Sequence, residues 1–423
     1  MIRLFLIGPA LLLGLACGAR SSLDAGDAIA VGGGGQGPHG GGVVGGEGEG
    51  GSASFSCALL QWAGEPIHVP IAGVGAIGAP KLVALDTGGF AVTFEAEGNG
   101  QPFLGSFGIS DPFAAWPPAA SGYDANFPLA GRWAVSESGP DAFGFAALDG
   151  VGNLALGYAS PGENGSSFVA LSMPGTDVHA LARNALGQYA VAAGGEGFLS
   201  LYGIEALAPE TQPLALGVAG CATPRVLASA APSAGSFLVA SAVDAPFDDC
   251  LDPDLPGLPT VAQIHLVDLA GNVSNGSYLQ RDAALAELML SPREGGAWLG
   301  LQDEGSATFG IYEVSSEGAF DEPHLQEVGS LPARTHALTS MGPTVAFASL
   351  LPSDVQPGGE LVLTVVVDFI PTSLAIQPAG SIFPLRGPSL AASSDGRSLL
   401  VAFAESDQPT PSVVVWRADC VDQ

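Results

Sequence analysis

Residues 389–418 read SLAASSDGRSLLVAFAESDQPTPSVVVWRA. An apolar run, a turn built on Ser-Asp-Gly, a second apolar run, a polar loop and a third apolar run follow one another. Asp and Gly supply the dihedrals of a tight two-strand connection, and each apolar run has strand length. The stretch therefore predicts three antiparallel strands. The same unit stands at residues 81–109, KLVALDTGGFAVTFEAEGNGQPFLGSFGI.

Five more copies lie between these two. They begin AFGFAALDGVGNLALGYAS at Ala142, VHALARNALGQYAVAAGG at Val178, RVLASAAPSAGSFLVASAV at Arg225, ELMLSPREGGAWLGLQDEG at Glu287 and THALTSMGPTVAFASLL at Thr335. The connecting stretches hold one more short apolar run, such as PLALGVAG from Pro213 and PHLQEVGS from Pro323, which makes four strands per unit. Residues 57–420 give about 52 residues per unit, a length suited to one four-stranded blade. Repetition at this period, with β-type segments only, predicts an all-β chain folded as a single seven-bladed β-propeller. The rival architecture is two packed β-sandwiches. The segment from Glu65, EPIHVPIAGVGAIGAPKLVALD, matches the stretch TQPLALGVAGCATPRVLAS from Thr211. It supplies a fourth strand with no earlier copy to join, so it should complete the last unit, which the two ends of the chain then share.

The motif SSDGRSLLVAF, from Ser393, resembles the DG-turn repeats of the TolB-like and WD-repeat propeller superfamily. That resemblance implies a propeller and no particular activity, since the fold hosts binding scaffolds and enzymes alike.

Charge narrows the partners. The chain of 423 residues carries 42 acids against 12 bases, a net charge of −30. Such a chain repels phosphate backbones and lacks the basic patches that nucleic-acid binding requires. Residues 1–17, MIRLFLIGPALLLGLAC, have the proportions of a signal peptide: Arg3, then an apolar run from Leu4 to Leu15 too short to span a bilayer. Cys17 follows Ala16 and resembles the lipidated cysteine of bacterial lipoproteins, with Gly14 and Leu15 in reverse order relative to that pattern. Residues 18–54 include VGGGGQGPHGGGVVGGEGEGGS from Val31, a flexible linker with no means of packing a core. Residues 55–423 are then the propeller. The expected address is the outer membrane or cell surface through a lipid anchor, with a secreted or periplasmic protein as the alternative. Membrane attachment is expected only through that anchor, and the head is expected to be a monomer.

Four cysteines remain beyond Cys17, and an even count in an exported chain predicts disulfides. Three pairings exist. Cys57–Cys420 with Cys221–Cys250 is preferred, because Cys57 opens the folded region and Cys420 closes it, and a propeller must join its first and last blades.

Candidate sites are few. Lys81, Arg132, Arg225, Arg281, Arg334 and Arg386 each lie at or shortly before the first strand of a unit, with His179 in that place in the third. If the first strand lines a central channel, these bases ring one mouth and suit a small anionic ligand. The other reading pairs them with acids of adjacent blades. The loop APFDDCLDPDLPG, from Ala245, holds Asp248, Asp249, Asp252 and Asp254. Calcium is the cation such a loop would take, although it lacks the DxDxDG pattern and reads equally as a solvated acidic loop. No cofactor is required. GxSxG, HExxH and phosphate-loop motifs are absent. His265, mid-strand in AQIHLVDL, reads as a packed sheet residue. Two function classes follow. One is a surface-tethered binding or scaffolding module for a protein, glycan or small anion. The other is a propeller enzyme of lactonase, lyase or glycosidase type, with its site at the channel mouth.

Overall fold

The computed structural model describes residues 57, 59–131, 133–139, 141–148, 153–162, 167–171, 176–195, 198–204, 214–220, 224–233, 235–244, 260–268, 272–281, 283–304, 309–320, 335–341, 344–351, 360–367, 370–376, 385–405 and 410–421. The chain divides into Met1–Ala53 and Ser54–Gln423. All described strands belong to the second unit. The signal peptide, Cys17 and the linker's residues 18–54 lie outside the described residues.

Among the described residues there are 28 strands, β1–β28, no helix, and seven antiparallel sheets. The N-terminal strands are β1 (Leu59–Trp62) and β2 (Ile67–Pro70). The first blade is β3 (Lys81–Ala84), β4 (Phe90–Gly98), β5 (Gln101–Ile109) and β6 (Asp124–Pro128). The second is β7 (Trp133–Gly139), β8 (Ala142–Leu148), β9 (Leu154–Ala159) and β10 (Ser167–Leu171). The third is β11 (Thr176–Arg183), β12 (Tyr189–Gly195), β13 (Phe198–Ile204) and β14 (Leu214–Gly220). The fourth is β15 (Pro224–Ser233), β16 (Ser236–Asp244), β17 (Thr260–Asp268) and β18 (Val273–Arg281). The fifth has three described strands, β19 (Leu285–Arg293), β20 (Gly296–Asp303) and β21 (Phe309–Ser315). Its expected fourth strand near Pro323 lies outside the described residues. The sixth is β22 (Thr335–Met341), β23 (Thr344–Leu351), β24 (Glu360–Val367) and β25 (Ile370–Ile376). The last is β26 (Leu385–Ala392), β27 (Ser398–Glu405) and β28 (Ser412–Val421).

In every blade the first strand is the inner edge. The inner strands β3, β7, β11, β15, β19, β22 and β26 each pack on the next, and β26 returns to β3. The ring is closed. The apolar packing repeats the same order. Seven hydrophobic clusters of described residues each sit between two neighbouring sheets. Phe90, Val92 and Phe94 of the first blade, for example, meet Leu400, Ala402 and Val413 of the last. Two sandwiches would have left two inter-sheet cores, so that alternative is excluded.

This packing explains the near-continuous apolar runs of the second strands. A sheet covered on both faces buries both sides of its strands, so alternation disappears. All eight residues of β27, SLLVAFAE, are buried. Phe94, Phe107, Phe143, Phe145, Phe237, Phe309 and Phe403 are among the largest fully buried side chains. Each contributes about 2–3 kcal/mol by removal from water. The β4–β5 hairpin turns on Asn99 and Gly100, with φ of 53° and 74°. That is the pair of positive dihedrals a two-residue hairpin turn requires.

The last blade is completed from the other end of the chain. β2 pairs with Ser412–Val415 and β1 with Ala418–Val421 of β28. The Glu65 segment therefore falls where its sequence match places it, and β1 joins it as a second contribution. Between β1 and β2, Trp416 donates its indole N–H to Gly64 O (2.7 Å) and Trp116 to Glu65 O (3.1 Å). Trp62 stacks on Trp416 with ring centroids 4.2 Å apart. Cys57 and Cys420 form a disulfide across this seam. Cys221 and Cys250 lie outside the described residues.

Candidate ligand site in the central channel

Each inner strand is a sheet edge, so half of its backbone N–H and C=O groups have no partner in their own sheet. Side chains of the adjacent blade satisfy several of them. Leu82 donates its backbone N–H to Ser389 Oγ (3.0 Å), from first blade to last. Ser340 donates its N–H to Ser291 Oγ (2.9 Å), and its own hydroxyl donates to Pro292 O. His179 Nε2 lies 2.8 Å from Ala146 O of the preceding blade. Polar side chains of the inner strands thus join blades that are otherwise held by apolar contact.

Around the axis these strands leave a cavity of about 440 Å³. Every inner strand lines it, through residues such as Ala84, Ser136, Ala182, Ser229, Ser291, Thr339 and Ala391. The lining comes mainly from the later halves of the strands. It mixes hydroxyls with apolar groups, both small ones such as Ala182 and larger ones such as Leu82, Phe90 and Leu181. Ser229 Oγ is buried and has no hydrogen-bond partner. Arg183, at the end of β11, is the one ionisable lining residue among the described residues, and its guanidinium lies 3.8 Å from the half-exposed Asp86 carboxylate. Its charge is thereby balanced at the rim.

The predicted basic ring is described in part. Lys81 opens β3, but its ammonium is turned to the next blade. It donates to Trp133 O (2.5 Å) and lies 4.2 Å from the centroid of the Trp133 ring. Burial pulls its pKa from 10.5 down to about 8. Arg386, on β26, is exposed. Arg225 is the second residue of β15, with its side chain outside the description. Arg132 and Arg334 lie outside the described residues. Arg281 requires a correction. It ends β18, the outer strand of its sheet, about 14 Å and three strand spacings from the inner strand. A residue just before a first strand belongs to the end of the preceding blade, and here that end is on the rim.

The acidic loop with Asp248, Asp249, Asp252 and Asp254 also lies outside the described residues. Among the described residues no three His, Cys, Asp or Glu side chains gather as a metal-holding group. His265 is buried, with Nε2 3.1 Å from the buried Ser241 hydroxyl, inside the fourth blade. At the opposite mouth from the predicted ring, Asp395 is held below its usual range by the Ser393 hydroxyl and the Arg397 backbone N–H. Sequence reading placed the site at the strand starts and passed over the later halves. The signal available was the recurrence of Ser and Ala there, in ASAA from Ala228, LSP from Leu290, LTS from Leu338 and LAASS from Leu390.

No protein-family model matches this sequence, and no curated protein sequence does. Solved structures do resemble the fold. A protein of unknown function from Dyadobacter fermentans has a TM-score of 0.51 at 12% identity, covering 86% of this chain and 100% of that one. A Hadza microbial sialidase has a TM-score of 0.45 at 12% identity, covering 82% of this chain and 68% of that one. The Aleuria aurantia lectin, in complex with α-methyl-L-fucoside, has a TM-score of 0.44 at 12% identity, covering 74% and 99%. At such identity the likeness is one of fold. The chain is a β-propeller.

Proposed function

We propose that this propeller is an exported binding module, tethered through Cys17 and residues 18–54, that takes a small uncharged polyhydroxyl ligand in its central cavity. One observation carries the reading. The cavity is lined by all seven inner strands with hydroxyls and apolar faces, and among the described residues its single cation, Arg183, is balanced by Asp86. Neighbouring hydroxyl and C–H surfaces suit those of a monosaccharide, and a net charge of −30 disfavours anions in the absence of a local excess of positive charge. The enzyme reading needs an acid–base pair at the cavity, and the described lining residues supply only Arg183 as an ionisable group. An anion site at the other mouth, built on Arg132, Arg225, Arg334 and Arg386, is a second proposal. Calcium on the acidic loop is a third.

Saturation-transfer NMR of the full chain with glucose, galactose, fucose and N-acetylglucosamine tests the main reading. At least one sugar should receive saturation from the wild type and lose it in an Ala231→Trp variant that fills the cavity. No transfer to any of the four, or equal transfer with the filled cavity, would overturn it.

A further inference from the structure

Lys81 is the only lysine of the chain. Its Nζ is held between blades by one backbone carbonyl, Trp133 O, and by the face of the same tryptophan ring. Trp133 is itself buried. The charged groups on the elements packed against Lys81 are Glu95 and Glu97 on β4, Glu137 on β7 and Arg386 on β26. Neither Glu95 nor Glu97, nor any other carboxylate whose side chain is described, forms an ion pair with it; the side chain of Glu137 lies outside the described residues. The residue is only partly covered, which leaves its amine within reach of solvent.

We propose that Lys81 is a covalent capture site for small aldehydes, held as a Schiff base beside Trp133. The amine lone pair adds to the carbonyl carbon, and the carbinolamine then loses water as the C=N bond forms. Nothing is oxidised or reduced. The protonated imine keeps one N–H for Trp133 O and keeps its positive charge over the ring, so the surroundings that hold the ammonium also hold the product. Carbamylation by carbon dioxide fits worse, because a carbamate would set an anion against a carbonyl oxygen and a π-face. The amine is also poised to react: at pH 7.5 a group with a pKa of about 8 is roughly 200-fold richer in free base than an ordinary lysine.

The test is incubation of the full chain with glycolaldehyde and cyanoborohydride from pH 6.5 to 10.5, followed by intact mass and peptide mapping. One adduct on Lys81 is expected, with its yield rising around pH 8 and its midpoint moving towards 10.5 in denaturing urea. Lys81→Arg, which keeps the cation and removes the nucleophile, should take no adduct on that peptide. The proposal is overturned by labelling confined to the α-amino group. A folded-state midpoint near 10.5, or the absence of any adduct, overturns it equally.

Discussion

Cys57 is bonded to Cys420, with 5.0 Å between their Cα atoms and a sequence separation of 363. Beside the bond, Leu60 stands opposite Cys420 in the β1–β28 register. One covalent link and two short strands thus fasten the beginning of the propeller to its end. A propeller opened at this seam would expose the apolar face between its first and last blades, where Ile71, Phe94 and Val413 are fully buried.

The double variant Cys57→Ser/Cys420→Ser should therefore be strongly destabilised. The chain-entropy model values so long a loop at roughly 6 kcal/mol, an upper figure, and native bridges typically contribute about 2–5 kcal/mol. Urea unfolding should show a loss in that range. An unchanged midpoint would mean that β1, β2 and the tryptophan contacts close the ring unaided.

Lys81 gives stability a pH dependence of defined sign. Its folded pKa, about 8, lies below the unfolded 10.5. Between those values the unfolded chain binds the additional proton, so stability rises with pH across the window. Below pH 8 the full penalty of the enclosed ammonium is present, at most about 3 kcal/mol. The difference in unfolding free energy between wild type and Lys81→Met should thus grow in favour of wild type from pH 8 to 10.5. A flat difference would contradict the burial of the charge.

Ser389→Ala removes the acceptor for Leu82 N–H between the last and first blades. The expected cost is about 1–2 kcal/mol, since an edge-strand donor is left without its partner. Hydrogen exchange supplies a local check: the Leu82 amide should lose protection while amides of the β12–β13 pair keep theirs.

Gly105→Ala tests the packing inside the first blade. A Cβ at Gly105 would lie 2.8 Å from the Phe94 ring, which is fully buried and cannot swing aside. A loss of about 1–3 kcal/mol is expected from overpacking. Adding Phe94→Leu should make the two changes less than additive. Strict additivity of the measured losses would show that the contact is not the cause.

Much of this molecule is decided locally, and so is legible along the chain. A strand needs an apolar run, a hairpin needs residues such as Asn99-Gly100 or Asp395-Gly396, and seven repetitions of one unit leave few ways to bury their faces. The sharing of the last blade was readable too, because the Glu65 segment is a fourth strand without a unit of its own. The position of a side chain around the axis is different in kind. Arg281 and Lys81 occupy similar places relative to the repeat, yet Arg281 ends an outer strand and Lys81 turns into its neighbour blade against Trp133. Those outcomes depend on where each blade ends in space and on what the next blade offers, neither of which the spacing of residues encodes. The cavity was hidden for the same reason. Ser229, Ser291 and Thr339 are ordinary strand residues in sequence, and only closure of the ring gathers them about one axis.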